Sequence, residues 1–113
     1  MSVPDASPEV VRAANDMLRS TFTGGRVVYS EWVQEVDDEW RAEITRAVME
    51  YSCFREDNPD DVHQVHCFGV FTVRAWLLCW KIDAYSPFGT PLGELADPTC
   101  SLRVLTIKGL REA

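Results

Sequence analysis

Apolar residues recur every three or four positions near the start of the chain, which is the period of an amphipathic helix. They are Val10, Val11, Ala14, Met17, Leu18 and Phe22. Ser7, Pro8 and Glu9 precede them, in the order of a capping hydroxyl, a first-turn proline and an acid at the positive helix end. Gly24 and Gly25 follow as a stop signal. We predict a first helix between these two signals.

A second helical pattern begins after Asp37 and Asp38, either of which can cap a helix. Its apolar positions are Trp40, Ile44, Ala47, Val48, Tyr51 and Phe54. We predict a helix that ends near Phe54 and packs its apolar side on a sheet. Residues 26–30, with two valines and a tyrosine, predict a short strand before it, and residues 31–36 continue apolar into an acidic junction.

The second half of the chain has the composition of strands. Residues 66–73 and 76–85 are rich in Val, Phe, Trp and Leu, with a connection short enough for a hairpin turn. The second of these runs is apolar at nearly every position, which predicts a central strand. Residues 102–108 predict the last strand. Residues 55–61 contain no apolar side chain and predict a solvated loop, and the prolines and glycines of residues 86–99 predict an irregular connection.

This order of elements predicts an α+β fold, with two helices packed on one face of a small antiparallel sheet of about four strands. The 113 residues have the length of one domain, residues 1–113. No stretch approaches the roughly 18 apolar residues of a membrane span, and the N-terminus lacks the pattern of a signal peptide. We therefore expect a cytoplasmic protein with no membrane partner. In that compartment Cys53, Cys67, Cys79 and Cys100 are expected to be reduced and buried, packing as small apolar groups.

The charge of the chain is concentrated in one segment. The whole chain has a net charge of −7, whereas residues 31–61 alone hold eleven acids and three arginines. This balance argues against direct binding of nucleic acid, whose phosphates would be repelled. An acidic helix face often serves only solubility. The alternative is a surface that binds a basic groove of another protein, and we predict that its contact residues are Glu35, Asp37, Asp38, Glu39, Glu43, Glu50, Glu56, Asp57, Asp60 and Asp61.

Candidate chemistry is sparse. His63 and His66 form an H-x-x-H pair that would suit zinc if Cys100 or Asp83 supplied further ligands. However, residues three apart on a strand point to opposite faces, so both histidines meet one ion only if His63 is still in the loop. Pairing with Lys81 or Arg103 explains Asp83 without any metal. We therefore expect no metal site, no cofactor and no catalytic residues.

Several motifs together resemble the domain-of-unknown-function family numbered 3768. They are Asn15-Asp16-x-Leu18-Arg19, Gly24-Gly25-Arg26-Val27-Val28, Glu56-Asp57-Asn58-Pro59, His66-x-Phe68-Gly69, Trp80-Lys81-Ile82-Asp83-x-Tyr85, Asp97-Pro98 and Arg103-Val104-Leu105-Thr106-Ile107. The resemblance implies a fold and a setting on alphaproteobacterial plasmids and in prophage-like regions, but no activity. The family usually has an acid where this chain has Cys67, and an aromatic residue at the position of Ala84. The loss of these side chains favours a binding protein over an enzyme.

Three hypotheses follow. The favoured one is a small acidic inhibitor from a phage or plasmid that binds a host defence nuclease complex, of the anti-CRISPR or antirestriction type, as a monomer or homodimer; nucleic-acid mimicry is one version of it. The second is a structural or regulatory interaction module that uses the second helix and the 87–95 loop, with Phe88 and Leu92 exposed. The third is a small metal-dependent enzyme around His63, His66, Asp83 and Asp97.

Overall fold

The computed structural model describes residues 3–112. Its helices are α1 (Pro8–Thr21), α2 (Glu31–Glu35) and α3 (Asp38–Met49). Its strands are β1 (Arg26–Tyr29), β2 (Phe68–Val73), β3 (Trp76–Tyr85), β4 (Pro91–Leu92) and β5 (Leu102–Gly109). The α+β class is therefore confirmed. None of the helices in residues 3–112 is long and apolar enough to cross a membrane.

The strands form one mixed sheet in the order β1-β5-β3-β2, and β4 pairs with the end of β3. β3 is central, as its continuous apolar run predicts, and it is antiparallel to β2, β4 and β5. The expectation of an entirely antiparallel sheet is wrong, because β1 runs parallel to β5. The local sequence of a four-residue strand does not distinguish parallel from antiparallel pairing. The direction of β1 therefore depends on the path of the chain between β1 and β5.

The capping signals act where the sequence places them. Ser7 accepts a hydrogen bond from the N–H of Val10, and Asp37 accepts one from the N–H of Trp40. α1 ends when Phe22 adopts a left-handed conformation, slightly before the two glycines that were expected to stop it. Gly25 serves a different purpose, because a Cβ there would lie 2.6 Å from the carbonyl oxygen of Arg103.

Two helix predictions need correction. Residues 31–35, expected to be an apolar continuation, form the short helix α2, which Ser30 caps through the N–H of Val33. α3 ends at Met49 rather than near Phe54. Beyond it, Tyr51 and Phe54 lie with ring centroids 5.3 and 6.3 Å from that of Trp80. Both rings pack against the apolar core, as their spacing indicates, but they do so from the chain that follows the helix.

The strand boundaries also differ slightly from the pattern. His66 adopts a positive φ of 57°, which a strand does not accommodate, so β2 begins at Phe68 rather than at residue 66. Arg74 and Ala75 both have positive φ and form the predicted two-residue hairpin turn. The irregular connection of residues 86–99 contains the two-residue strand β4.

The core lies between the three helices and one face of the sheet. Its fully buried members are Leu18, Val33, Ile44, Val48, Leu78, Trp80, Leu105 and Ile107, with Ile82 almost as buried. Trp80 pairs in register with Ile107, and Ile82 with Leu105, so these side chains share a face. The arrangement of helices on one face of the sheet is as predicted.

Candidate partner-binding surface

The ten acids predicted to bind a partner fall into three groups by exposure. Exposed to solvent are Glu35, Asp37, Asp38, Glu39, Glu50, Glu56, Asp57 and Asp60. Glu43 is half-buried, and Asp61 is buried. We call the nine exposed and half-buried residues the acidic surface. They lie at the start of α3, along it, and in the loop that follows it.

Most of the acidic surface is not neutralised by neighbouring bases. Asp38 pairs with Arg41 at 2.9 Å, Glu43 with Arg74 at 2.6 Å and Asp57 with Arg55 at 3.3 Å. Six carboxylates have no ion pair within the described residues, namely those of Glu35, Asp37, Glu39, Glu50, Glu56 and Asp60. Exposed pairs contribute little to stability. The surface therefore keeps a strong negative field toward solvent.

Arg41 shows how the helices around this surface are held. Its guanidinium donates to the carbonyl oxygens of Val33 at 3.3 Å, Gln34 at 2.7 Å and Val36 at 2.8 Å. These carbonyls end α2, and their negative helix end attracts a cation. Arg41 thus joins α2 to α3, and most of its hydrogen bonds go to backbone oxygens rather than to the acids.

Asp61 does not belong to the acidic surface, which corrects the prediction for this residue. It is only 4% exposed. One carboxylate oxygen accepts from the N–H of Val65 and the other from the N–H of His66, both at 2.9 Å. A carboxylate that accepts two backbone hydrogen bonds organises its own loop. The loop predicted to be solvated is therefore anchored at its last residue.

A second anchor joins this loop to α1. One carboxylate oxygen of Asp16 lies 2.8 Å from the guanidinium of Arg19 and 2.7 Å from Nδ1 of His66. The His66 ring stacks on Phe54, with centroids 3.6 Å apart, and the Arg19 guanidinium lies 5.0 Å from the centre of the same Phe54 ring. The contacts bring three charged or polar side chains and an aromatic ring into one cluster beside Trp80.

Asn15 and Arg103 extend this buried cluster. The Asn15 amide donates to the carbonyl of Val65 at 2.9 Å, and its oxygen accepts from Arg103 at 3.1 Å. Arg103 also donates to the carbonyl of Ala96. Burial lowers the pKa of Arg103. Asn15, Arg19, Asp61 and Arg103 are buried, and Asp16 and His66 beside them are half-buried. We call these six residues the buried polar network; it holds residues 61–66 and residue 96 against α1.

Beside the buried polar network, Asp61, Cys67 and Glu94 bring ligand atoms within 4.8 Å of one another. Burial, together with the charge of Asp61, raises the pKa of both the Cys67 thiol and the Glu94 carboxyl. The Cys67 thiol therefore stays protonated at neutral pH, and its sulfur lies 3.4 Å from two acceptors for its one proton, the backbone carbonyl of Asp60 and the Asp61 carboxylate. Within the described residues, these three are the group of His, Cys, Asp or Glu side chains whose ligand atoms come this close together.

The four residues of the enzyme hypothesis have separate contacts. His66 is bound to Asp16, whereas His63 is exposed. Asp83 pairs with Lys81 at 3.5 Å, one of its two predicted partners. Asp97 accepts from the N–H and hydroxyl of Thr99, which lowers its pKa. The structure thus does not place the four residues of the enzyme hypothesis in a shared hydrogen-bonded arrangement.

The four cysteines are unpaired thiols, as expected, but only two of them are buried. Cys67 and Cys79 are buried, whereas Cys53 and Cys100 are exposed. Cys53 lies in the chain that follows α3, and Cys100 in the turn before β5. The expectation of buried cysteines is therefore wrong for two of the four.

Sequence reasoning missed an aromatic cluster at one end of the sheet. The ring centroids of Trp32 and Trp40 are 5.4 Å apart, and those of Trp32 and Trp76 are also 5.4 Å apart. The Arg74 guanidinium lies 5.3 Å from the centre of the Trp40 ring. Trp32, Trp40 and Trp76 come from α2, α3 and β3. No local pattern relates them, since only the packing of three elements brings them together.

Fold and surface together define a small acidic α+β protein with an exposed carboxylate surface and a buried polar network. The chain matches the family described as "Protein of unknown function (DUF3768)" over residues 29–112 and belongs to it. The family resemblance found in the sequence motifs is thereby confirmed. No curated protein matches the chain, and no solved structure matches it either.

Proposed function

We propose that this protein inhibits a nuclease complex of a host defence system, of the anti-CRISPR or antirestriction type, by binding it through the acidic surface. The observation that carries the proposal is the set of six exposed carboxylates of the acidic surface without an ion pair in residues 3–112. Like charges held together destabilise a fold by mutual repulsion, which favours a role in binding. The mobile-element setting implied by the motifs supports the same conclusion.

The distribution of charge suits a basic groove. The α3 helix has 12 residues, and a helix of that length spans about 18 Å. Acidic residues stand at both of its ends and continue into the loop beyond it. A groove that binds nucleic acid presents lysine and arginine along a comparable path. Carboxylates at both ends of one rigid helix meet such a groove without reordering, and they speed encounter through electrostatic steering.

An interference assay tests the proposal. The chain is expressed in bacteria that carry one CRISPR or restriction system at a time, and plaques of a targeted phage are counted. We expect restored plaques in at least one system. Absence of rescue in every system would refute the inhibitor function.

Charge reversal then tests the surface. Glu39→Lys, Glu50→Lys and Glu56→Lys are made singly and together, because these residues are exposed and unpaired within the described chain. The matched control is Glu9→Lys, an exposed acid on α1 with the same charge change. We expect each single variant to weaken rescue, the triple variant to abolish it, and the control to retain it. Rescue by the triple variant at the wild-type level would show that another surface makes the contact.

One observation favours a second candidate function, an interaction module that uses the loop after β3. Phe88 is 96% exposed at the tip of this loop, whereas Leu92, expected to be exposed beside it, is half-buried in β4. A fully exposed phenylalanine is a candidate contact. Loss of self-association or of partner capture in Phe88→Ser, with the charge variants still active, would favour this function over the inhibitor.

A further inference from the structure

A cleft opens at the end of the sheet where β3 begins and β5 ends. It has a volume of about 380 Å³, and its apolar walls are Trp32, Trp76, Leu77 and Leu110. The N–H of Leu110 donates to the carbonyl of Leu77 at 3.1 Å, which joins two of these walls. We call this feature the tryptophan cleft. Its volume is within the range of sites that take a large apolar side chain or a short peptide segment.

The tryptophan cleft exposes large apolar side chains that are already held in place. Trp76 is 55% exposed and Leu77 is 49% exposed. The Trp76 ring lies beside Trp32, and its centroid is 6.5 Å from that of Trp40. A tryptophan packed against two others loses little conformational freedom on binding, and tryptophan is enriched among the residues that dominate protein interfaces.

Acidic residues adjoin the tryptophan cleft, and Glu112 is among the residues that line it. On α2, Glu31 directly precedes Trp32, and Glu35 follows Trp32 by three positions, so Glu35 lies on the same side of the helix as Trp32. Across the cluster, Arg74 donates to Glu43, and the charges of Glu43, Asp37 and Glu39 together raise the pKa of Arg74. The positive charge of Arg74 is therefore already balanced by these carboxylates. Arg111 is the cation that lines the cleft itself.

We infer that the tryptophan cleft binds an apolar side chain of the partner protein, presented on an extended segment with lysine or arginine on both sides. The apolar walls select the central side chain, and the surrounding carboxylates select its basic neighbours. This inference rests on the proposed function for the identity of the partner. It adds an anchoring pocket to a surface otherwise recognised by charge alone.

Peptide binding tests the inference without any defence system. The probe is the blocked hexapeptide Lys-Lys-Leu-Leu-Lys-Lys, titrated against labelled protein while the indole N–H signals of the 4 tryptophans are followed by NMR. We expect saturable shifts of the Trp32 and Trp76 signals, with a dissociation constant on the order of 1 mM for so short a ligand. The signal of the buried Trp80 should stay in place.

Two control peptides separate the apolar and the charge contributions. Replacing both leucines with serine, or all lysines with glutamate, is expected to weaken binding at least tenfold. Equal binding of the glutamate peptide would refute the charge argument, and equal binding of the serine peptide would refute the apolar pocket. Shifts of these signals with protein concentration alone would identify a second copy of the chain as the occupant and would overturn the inference.

Variants make the test specific to the tryptophan cleft. Leu77→Ser removes an exposed wall, and its matched control is Val70→Ser, an exposed apolar residue of β2 that does not line this cleft. We expect Leu77→Ser to weaken peptide binding at least fivefold and Val70→Ser to leave it unchanged. Arg111→Ala should strengthen binding of the basic peptide severalfold. Unchanged binding in Leu77→Ser would refute the site.

The peptide titration tests the cleft and the phage assay tests the proposed function, so failure of one can be distinguished from failure of the other. Peptide binding in the cleft without rescue in any defence system would leave the inference standing and refute the proposed function. Phage rescue that persists fully in Leu77→Ser, together with no peptide binding, would refute the inference and leave the proposed function standing.

Discussion

The acidic surface and the buried polar network use the same kinds of side chain in opposite surroundings. On the acidic surface, carboxylates such as those of Glu39 and Glu50 face solvent without an ion pair in the described chain. In the buried polar network, Arg103 and Asp61 are each 4% exposed; both Asp61 oxygens accept from backbone N–H groups, and the two terminal nitrogens of Arg103 donate to Asn15 and to the carbonyl of Ala96. A buried charge is tolerated only with such partners. Polar groups in the network therefore serve the fold, and those on the surface are available to a partner.

The two regions meet in one loop. Residues 56–60 of this loop are mostly exposed and acidic, and the next residue, Asp61, enters the buried polar network. Arg12 and Asn15 on α1 donate to the carbonyls of Gln64 and Val65, at 2.7 and 2.9 Å. Damage to the network should therefore disturb both regions, whereas changes on the surface should leave the fold intact. The predictions below test this asymmetry.

The largest effect is expected from Arg103→Ala. The substitution leaves the Asn15 side-chain oxygen and the Ala96 carbonyl without their donor, which should lower the free energy of unfolding by about 3 kcal/mol. Arg46→Ala, at an exposed position of α3, is the control and should change it by less than about 0.5 kcal/mol. Urea unfolding measures both. Equal effects of the two variants would show that the network does not hold the fold.

Gly25→Ala tests the same region through the backbone. The added Cβ would meet the carbonyl oxygen of Arg103 and the side chain of Leu18, and a backbone oxygen cannot move aside as a flexible side chain can. We expect a loss of about 1–3 kcal/mol in unfolding free energy. Gly93→Ala, which meets only open space, is the control. A Gly25→Ala variant as stable as Gly93→Ala would contradict this packing.

On the acidic surface, Glu50→Lys and Glu39→Lys should change stability in opposite directions. Glu50 lies at the C-terminal end of α3 and Glu39 in its first turn. A lysine interacts favourably with the negative C-terminal end of a helix and unfavourably with its positive N-terminal end. We therefore expect the free energy of unfolding, measured by thermal denaturation, to rise by about 0.5 kcal/mol in Glu50→Lys and to fall by about 0.5 kcal/mol in Glu39→Lys. Both variants should weaken phage rescue. If Glu39→Lys weakened phage rescue and Glu50→Lys did not, rescue would depend on stability rather than on surface charge, and the two regions would not differ in role.

The smallest effect concerns Asp97, an acid beside the buried polar network. Hydrogen bonds from Thr99 lower its pKa in the folded state. A lowered carboxyl pKa contributes stability that is fully present above the unfolded pKa and is lost as the pH falls through the folded value. Asp97→Asn should therefore show a shallower loss of melting temperature between neutral pH and about pH 2. Identical acid profiles for the two proteins would contradict this role.

Local signals explain most of what was predictable in the fold. The cap at Ser7, the cap at Asp37 and the Arg74–Ala75 turn act within a few residues, and all three form as predicted. The predicted end of α3 was wrong because Tyr51 lies at helical spacing from the apolar residues of the helix. Spacing alone does not show that the Tyr51 ring packs on Trp80 from outside the helix. Gly69 leaves room for that contact, since a Cβ would collide with both rings.

Of the ten predicted contact acids, the structure tests only the exposure and the contacts within the chain. Eight of the ten acids are exposed, because a polar run beside an amphipathic helix indicates solvent on physical grounds. Asp61 was the error, since its burial depends on backbone donors of Val65 and His66 that composition does not reveal. The tryptophan cleft was invisible because its walls come from separate elements.

The sequence by itself determined the class of the fold, the starts of α1 and α3, the central strand and the concentration of negative charge in residues 31–61. These features depend on periodicity, caps and composition, which act locally. Only the tertiary structure decided the parallel pairing of β1 with β5, the burial of Asp61 and Arg103, and the meeting of Trp32 with Trp76. Each of these joins residues far apart in the chain, and their contact depends on how all the elements pack together.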